Sequence, residues 1–459
     1  MFPTVRFQPL ALGLYLAISG SILAGCASYQ PAPLNIKTLG QPRTGLSDFP
    51  TDADRPTLLR FALSHDPTLA AERAALHAAE QAQKSAHNLP ALSLTLTAEY
   101  SRDADPQKPW LYGGALGIPL DIGARRQTRL TTADLAVVKA RYALAEAAWR
   151  VRQQFQTAVV NVDMAGREAG IAHSLLDQRA AYLAVLQARV NAGEDARGLA
   201  AQAALDVSGA RQALAQAQAR HSQAIAALAH LLDTDPATAA SLPAIAPSPL
   251  AEVNASEVTT RIDAALYARA DVLTAVIDYD LAENDLRQAI AAQYPDINIQ
   301  PGYTWERGQV KLPLALSLTL PPLDGNRAAI NAAQSTRLAA GKTLEAVVRS
   351  TRSTARQAAT AFGASLATAR TVADSDLPAA REMAARTERM RTAGESDTTE
   401  VRLAQINATQ AQLNALQAER SARMDRLALE DALHQSLDAT DTLILADILA
   451  ETATTEVHK

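Results

Sequence analysis

The chain repeats itself once, and that duplication restricts its fold more than any single motif. Pro90 stands in Asn-Leu-Pro-Ala-Leu and Pro295 in Gln-Tyr-Pro-Asp-Ile. Pro119-Leu120-Asp121 returns as Pro322-Leu323-Asp324, and Ala192-Gly193-Glu194 returns as Ala393-Gly394-Glu395. The offsets are 205, 203 and 201 residues. Three short matches in one order at nearly one spacing mean an internal repeat, so one structural plan must serve both halves.

That plan is helical with a small strand component. In the first half, helical periodicity covers residues 57–88, followed by two alternating segments at 91–101 and 110–120. A very long helical stretch spans 124–192, Gly193 punctuates it, and a further helix covers 196–233. A Pro, Ala and Ser-rich stretch at 234–257 reads as a linker. The second half predicts a helix at 258–293, alternating segments at 296–305 and 311–320, a helix at 327–393 and another at 398–437, leaving a weakly ordered tail at 438–459. The two repeats are therefore 57–233 and 258–437. At 1.5 Å per residue each long helix reaches about 100 Å. No helix of that length is stable alone, so each must bury a stripe against neighbours. Stripes such as Ala140, Leu144, Ala147 and Val151 suit close packing. With only 4% aromatic residues in a chain that is 48% hydrophobic, the core must be built from small and aliphatic side chains.

The alternating segments have period two. Leu92, Leu94, Leu96, Ala98 and Tyr100 share one face, opposite Ser93, Thr95, Thr97, Glu99 and Ser101. In the partner segment Trp110, Tyr112, Leu116, Ile118 and Leu120 share a face. In the second half Ile297, Ile299, Tyr303 and Trp305 alternate with Asn298, Gln300, Thr304 and Glu306. Leu312, Leu314, Leu316, Leu318 and Leu320 oppose Ala315, Ser317 and Thr319. Each segment is about ten residues, the length a tilted strand needs to cross a bilayer. Tyr100, Trp110, Tyr112, Tyr303 and Trp305 cluster at the hairpin ends, as an aromatic girdle at one membrane interface would. A soluble sheet packed on a core would show the same alternation, but no other segment supplies bulky partners for it. Four strands cannot close a barrel. In lipid an open edge leaves backbone groups unpaired, so such a sheet must close with other copies.

Residues 1–25 read as a signal peptide: Arg6, an apolar run from Leu10 to Leu23, then small residues. The ending Leu23-Ala24-Gly25-Cys26 resembles the bacterial lipobox. The resemblance implies that Cys26, the one cysteine, is the lipidated first residue of the mature chain and that 26–56 is a lipid-anchored segment. Ala27 stands where an Asp would resemble the signal for inner-membrane retention, so the outer membrane is expected. One cysteine permits neither a disulfide framework nor a cysteine zinc site. A net charge of −5 without a basic block argues against nucleic acid as a partner.

Several phrases, taken in order, resemble the TolC-like outer-membrane efflux factors. They are ALYARADVLTAVIDYDLAENDLRQAIAAQYPDI before a strand (265–297), Gly-Ile-Pro-Leu-Asp-Ile-Gly-Ala-Arg-Arg after one (117–126), and the crossing Leu320-Pro-Pro-Leu-Asp-Gly-Asn-Arg327. The resemblance covers residues 57–437. It implies a mainly α fold with a membrane β-barrel: a homotrimer with a twelve-stranded barrel in the outer membrane and an α-helical tunnel in the periplasm. A periplasmic adaptor (membrane fusion) protein and an inner-membrane pump would be its partners. Short hairpin loops at 102–109 and 306–310, with Asp324-Gly325-Asn326-Arg327, lean toward the CzcC-like heavy-metal branch, so metal cations are one candidate cargo. The family's Leu-Asp-Ala-Gln phrase past the second tip is replaced by Arg402-Leu403-Ala404-Gln405, which removes the constricting Asp.

The tip acids Glu194, Asp195, Glu395, Asp397 and Glu400 are candidates for an acidic aperture and for adaptor contact. They equally suit helix starts, where the dipole favours acids. Pro119, Gly123, Pro322 and Gly325 mark the strand-to-helix crossings, a structural role. The eight histidines are scattered without the i, i+4 spacing of a zinc helix. No nucleophile elbow, phosphate loop or carboxylate dyad stands out, so neither an enzyme nor a cofactor is expected. The competing class is a lipid-anchored periplasmic coiled-coil adaptor or scaffold. Such proteins carry their helical hairpin once, flanked by compact β domains.

Overall fold

A computed structural model describes residues 29–39, 54–102, 108–121, 124–250 and 255–454. The signal peptide, Cys26 and Gly123 lie outside them. Two units separate, Met1–Asp48 and Phe49–Lys459. In the first, the described residues form one helical turn, Ile36–Leu39, at whose start the Asn35 side chain accepts from the Lys37 amide. The rest of this account concerns the second.

In chain order its elements are α1 (Arg55–His65), α2 (Pro67–His87), β1 (Ser93–Tyr100), β2 (Trp110–Pro119), α3 (Ala124–Asn191) and α4 (Arg197–Leu231). Then come α5 (Pro236–Ser241), α6 (Ala255–Ala265), α7 (Ala270–Ala291), β3 (Asp296–Glu306), β4 (Gln309–Lys311) and β5 (Leu314–Thr319). The last are α8 (Arg327–Thr371), α9 (Leu377–Thr392), α10 (Thr398–Leu433) and α11 (Ala439–Thr454). The 68 residues of α3 reach about 100 Å. Both faces of α3 are covered: α2, α4, α7 and α10 all pack on it. The seam of α4 buries Ala203, Ala210, Ala217 and Ala224 at a strict seven-residue spacing, with Val207 four residues after the first and Leu228 four after the last. Alanine at that repeat lets two helix backbones approach closely in coiled-coil fashion.

Three predicted helices are interrupted. The stretch 57–88 breaks at Asp66, whose carboxylate accepts from the Thr68 and Leu69 amides at 2.8 and 3.0 Å while Pro67 starts α2. This is a strong N-cap with proline at the first helical position. The stretch 258–293 breaks between Leu266 and Arg269. The long stretch 327–393 changes to a π-helical turn at Val372–Asp376. Pro378 has no amide to donate to the carbonyl of Asp374, and the ladder widens there. At the equivalent place in the first repeat, 201 residues earlier, stands Asp177, and α3 runs through unbroken.

The described part of the tail is not weakly ordered. Residues 439–454 form α11, which folds back on α1 and α3 and buries Ile444 and Ile448. A buried charge cluster holds it. Arg152 of α3 and Glu430 of α10 are fully buried and form an ion pair. The Arg152 guanidinium also donates to Asp441 at 2.8 and 2.9 Å and to Ser436 Oγ at 2.8 Å. Gln156 and Arg55 donate to the same Asp441 carboxylate at 2.7 and 2.8 Å. The linker closes the cluster from outside: Ser248 Oγ donates to Asp438 at 2.9 Å, and the Pro249 carbonyl accepts from Arg426. Burial pushes the Asp438 carboxyl up, but the Ser248 hydroxyl and the Arg55 guanidinium outweigh it and hold the group below its ordinary value. So Ser248 and Pro249 strap the connecting stretch across the cluster. Beside the cluster, His434 stacks on Trp149 and reaches Glu146 at 2.7 Å, which lowers the Glu146 carboxyl.

Arg152→Met strands two buried carboxylates without their shared partner. A broken buried pair costs about 3–5 kcal/mol. Denaturant unfolding of the detergent-solubilised protein should show that loss together with early proteolysis of α11, whereas an unmoved midpoint would contradict the role given to the cluster.

Candidate functional site

Two places carry the candidate residues: the sheet and the helical tips. The strands form one antiparallel sheet in the order β1, β2, β3, with β4 and β5 both paired to the far side of β3. The register sets the faces. Tyr100 opposes Trp110, Tyr112 opposes Trp305, Ile299 opposes Leu316 and Ile297 opposes Leu318. The large apolar side chains other than Leu111 therefore share one side of the sheet. That side is uncovered: Leu94, Leu96, Leu314 and Leu316 are 61–76% exposed. The opposite face carries Thr95, Glu99, Asn298, Gln300, Thr304 and Glu306.

The predicted strand 311–320 is split at Leu312-Pro313. The Pro313 carbonyl accepts from Gly302 at 2.8 Å, so this residue's missing amide lies on the side facing β3. Gly302 leaves room for the ring, since a Cβ there would come 3.1 Å from it. The proline thus breaks the inner pairing and leaves the outer edge of the strand with its donors. The two free edges of the sheet, β1 and β5, belong to different repeats.

The aromatic residues meet at one end of the sheet. Tyr100 and Trp110 pack edge to face at 5.1 Å, Trp110 and Tyr112 stack at 5.8 Å, and Tyr112 and Trp305 stack at 6.1 Å. Tyr303 stands two residues further down the same face. At the other end, Pro119 is the last residue of β2, while Pro322 and Gly325 lie in the turn into α8. Gly325 at φ 64 and Asn326 at φ 60 take the left-handed backbone that this reversal needs.

The tips are built alike. Gly193 and Gly394 both have φ 81. Glu194 donates its amide to the Arg189 carbonyl at 2.9 Å and Glu395 to Met390 at 2.8 Å, the six-to-one bond of a Schellman ending. The acids have partners that spacing alone did not suggest. Arg189, in the last turn of α3, donates to Asp195 at 2.6 Å and reaches Asp397 of the other tip at 3.1 Å, with Glu194 at 3.9 Å. One guanidinium therefore ties the α3–α4 hairpin to the α9–α10 hairpin. Asp397 caps α10 by accepting from the Glu400 amide at 2.8 Å, which holds its carboxyl low, helped by Arg189. Glu400 accepts from Ser396. Glu395 is exposed at the turn. A basic residue six positions before an acidic tip was the available signal for this clamp. Among the described residues no group of three metal-ligating side chains converges, and no helix is long and apolar enough to cross a membrane.

The fold matches solved outer-membrane channels. VceC from Vibrio cholerae aligns with a TM-score of 0.68 at 19% identity, covering 84% of this chain and 97% of that one. MtrE of Neisseria gonorrhoeae, solved in its open state, gives 0.67 at 19%, covering 84% and 90%. CmeC of Campylobacter jejuni gives 0.68 at 12%, covering 92% and 97%. Comparison with curated protein sequences gives no match. The family model described as outer membrane efflux protein matches twice, over residues 58–234 and 261–434. The duplication, the sheet and the paired helical tips are thus accounted for together, and the chain belongs to the outer membrane efflux protein family.

Proposed function

We propose that three copies of this chain close into a twelve-stranded barrel in the outer membrane, continued by a tunnel of helices in the periplasm, and that the assembly is the exit duct of a tripartite efflux system. The observation that carries this reading is the uncovered apolar face that runs through every strand, bounded by two open edges. In water such a face is a liability. In lipid it is the outer wall of a barrel, provided that β5 of one copy pairs with β1 of the next. The length agrees: about ten residues at 3.3 Å each, tilted by about 45°, give the roughly 25 Å apolar band of an outer-membrane barrel. The polar face lines the lumen, and the aromatic cluster sits at one interface.

A duct needs no catalytic group, because the pump in the inner membrane supplies the energy. An adaptor protein would bridge to that pump at the tips. The cargo class favoured by the short hairpins and by Asp324–Arg327 is metal cations, passing through without a resident site. Cys26 would carry the lipid. A simple fractionation separates the barrel from a merely lipidated protein. With Cys26→Ser and an exchanged signal sequence, the chain should still require detergent for extraction, whereas release into the soluble periplasm would contradict a barrel.

At the tips we assign Arg189 the role of a closing clamp and Glu395 that of a charged mouth. Three exposed copies of Glu395 would form an acidic ring that favours cations. In planar bilayers, Arg189→Ala should raise single-channel conductance by freeing one hairpin from the other. Glu395→Gln should lower cation preference by about two-fold without raising conductance. Traces identical to the unmodified channel would remove both roles.

A further inference from the structure

The aromatic cluster marks one end of the sheet, and the opposite end carries a band of its own. Leu92 and Leu320 extend the apolar face by one position beyond the strands, and both are exposed. Around them stand Leu89, Ile290, Tyr294 and Leu323, also exposed, with Leu323 wholly free of the protein. Nothing in the core explains these side chains. They sit where four chain segments pass from strand to helix.

The four segments are tied into one band. The Asn326 side chain donates to the Ala289 carbonyl at 2.8 Å, which joins the start of α8 to the end of α7. Arg125 pairs with Asp296 and donates to the Tyr294 carbonyl at 2.6 Å, joining α3 to the same end of α7. Arg129 pairs with Asp121 and donates to the Ala86 carbonyl at 3.3 Å, joining α3 to α2. These guanidiniums and carboxylates neutralise each other within the band. Asp324 is likewise engaged, accepting from the Asn326 and Ala328 amides at 2.9 and 3.2 Å.

Besides Arg126, whose guanidinium stands 3.7 Å from Asp121, two arginines of this band face outward. Arg287 lies three residues before Ile290, on the same side of α7, and its side chain is 65% exposed, with Glu283 no nearer than 3.9 Å. That Glu283 is held more closely by Arg337, at 3.1 Å. Arg327 opens α8 four residues after Leu323 and is exposed. Apolar side chains nearest the sheet with arginines about one helical turn beyond them form the pattern of an interfacial anchor. The side chains enter the hydrocarbon edge while the guanidiniums reach the phosphate level.

We propose that this collar is a second membrane anchor, which seats its apolar side chains in the periplasmic leaflet and binds the phosphates of anionic phospholipids through Arg287 and Arg327. The occupant follows from continuity with the lipid-facing sheet and from the charge of the two outward-facing guanidiniums, and the proposal rests on the barrel reading above. Three copies would set six arginines in a ring at one depth of the membrane.

The test uses the full-length protein reconstituted in nanodiscs of equal phosphatidylglycerol and phosphatidylcholine, followed by quantification of the lipids that stay bound after transfer to detergent. The unmodified protein should retain phosphatidylglycerol over phosphatidylcholine by about five-fold. Arg287→Gln with Arg327→Gln should bring the ratio near one, while Arg287→Lys with Arg327→Lys, which keeps the charge, should preserve most of it. Normal insertion with no lipid preference, or a preference untouched by the Gln pair, overturns the collar and leaves the barrel standing. Failure of the unmodified protein to insert overturns both.

Discussion

A small sheet with one apolar face and two open edges is stable neither in water nor, by itself, in lipid. Water rejects the face, and hydrocarbon rejects the unpaired amides and carbonyls of β1 and β5. Everything else in the chain can be read as a response to that constraint. On the barrel reading, each open edge would be completed by another copy. Pro313 is placed where its missing amide weakens the inner pairing with β3 and spares the outer edge. The strands stay short because the helices, and not the sheet, carry the length of the molecule.

The helices face the opposite problem. A rod of 68 residues is stable only where its stripes are buried. Alanine at seven-residue spacing on α4 gives a close seam, but alanine buries little apolar area per residue. The waist compensates with a charge cluster in which Arg152, Glu430 and Asp441 are fully buried. It gathers α1, α3, α10, α11 and the linker strap at one level. Below the waist α3 and α10 stay packed, with Val160, Met164 and Leu416 in one apolar cluster and Arg167 2.9 Å from Glu419, and at the tips Arg189 adds a further tie between the hairpins.

Much of this was legible in the sequence, for identifiable reasons. Period-two alternation placed Leu94, Leu96, Ile299 and Leu316 on one face, because a strand has no other way to distribute side chains. The repeat placed Gly193 and Gly394, which share one φ and one type of helix ending. What was not legible depends on partners distant in the chain. Asp441 lies in a segment that reads as a loose end until Arg152, nearly 300 residues earlier, is brought to it. Arg189 reads as one more exposed arginine until the second tip arrives beside it. The breaks at Asp66 and Pro378 were present as cap and proline signals, but the surrounding helical periodicity outweighed them.

The central claim is that three copies share one barrel. Electron microscopy of the detergent-purified mature protein tests it most directly. The account predicts a three-fold particle with twelve strands at one end and a tapering helical cylinder of about 100 Å at the other. Single chains, or particles whose sheets remain open side by side, would contradict it.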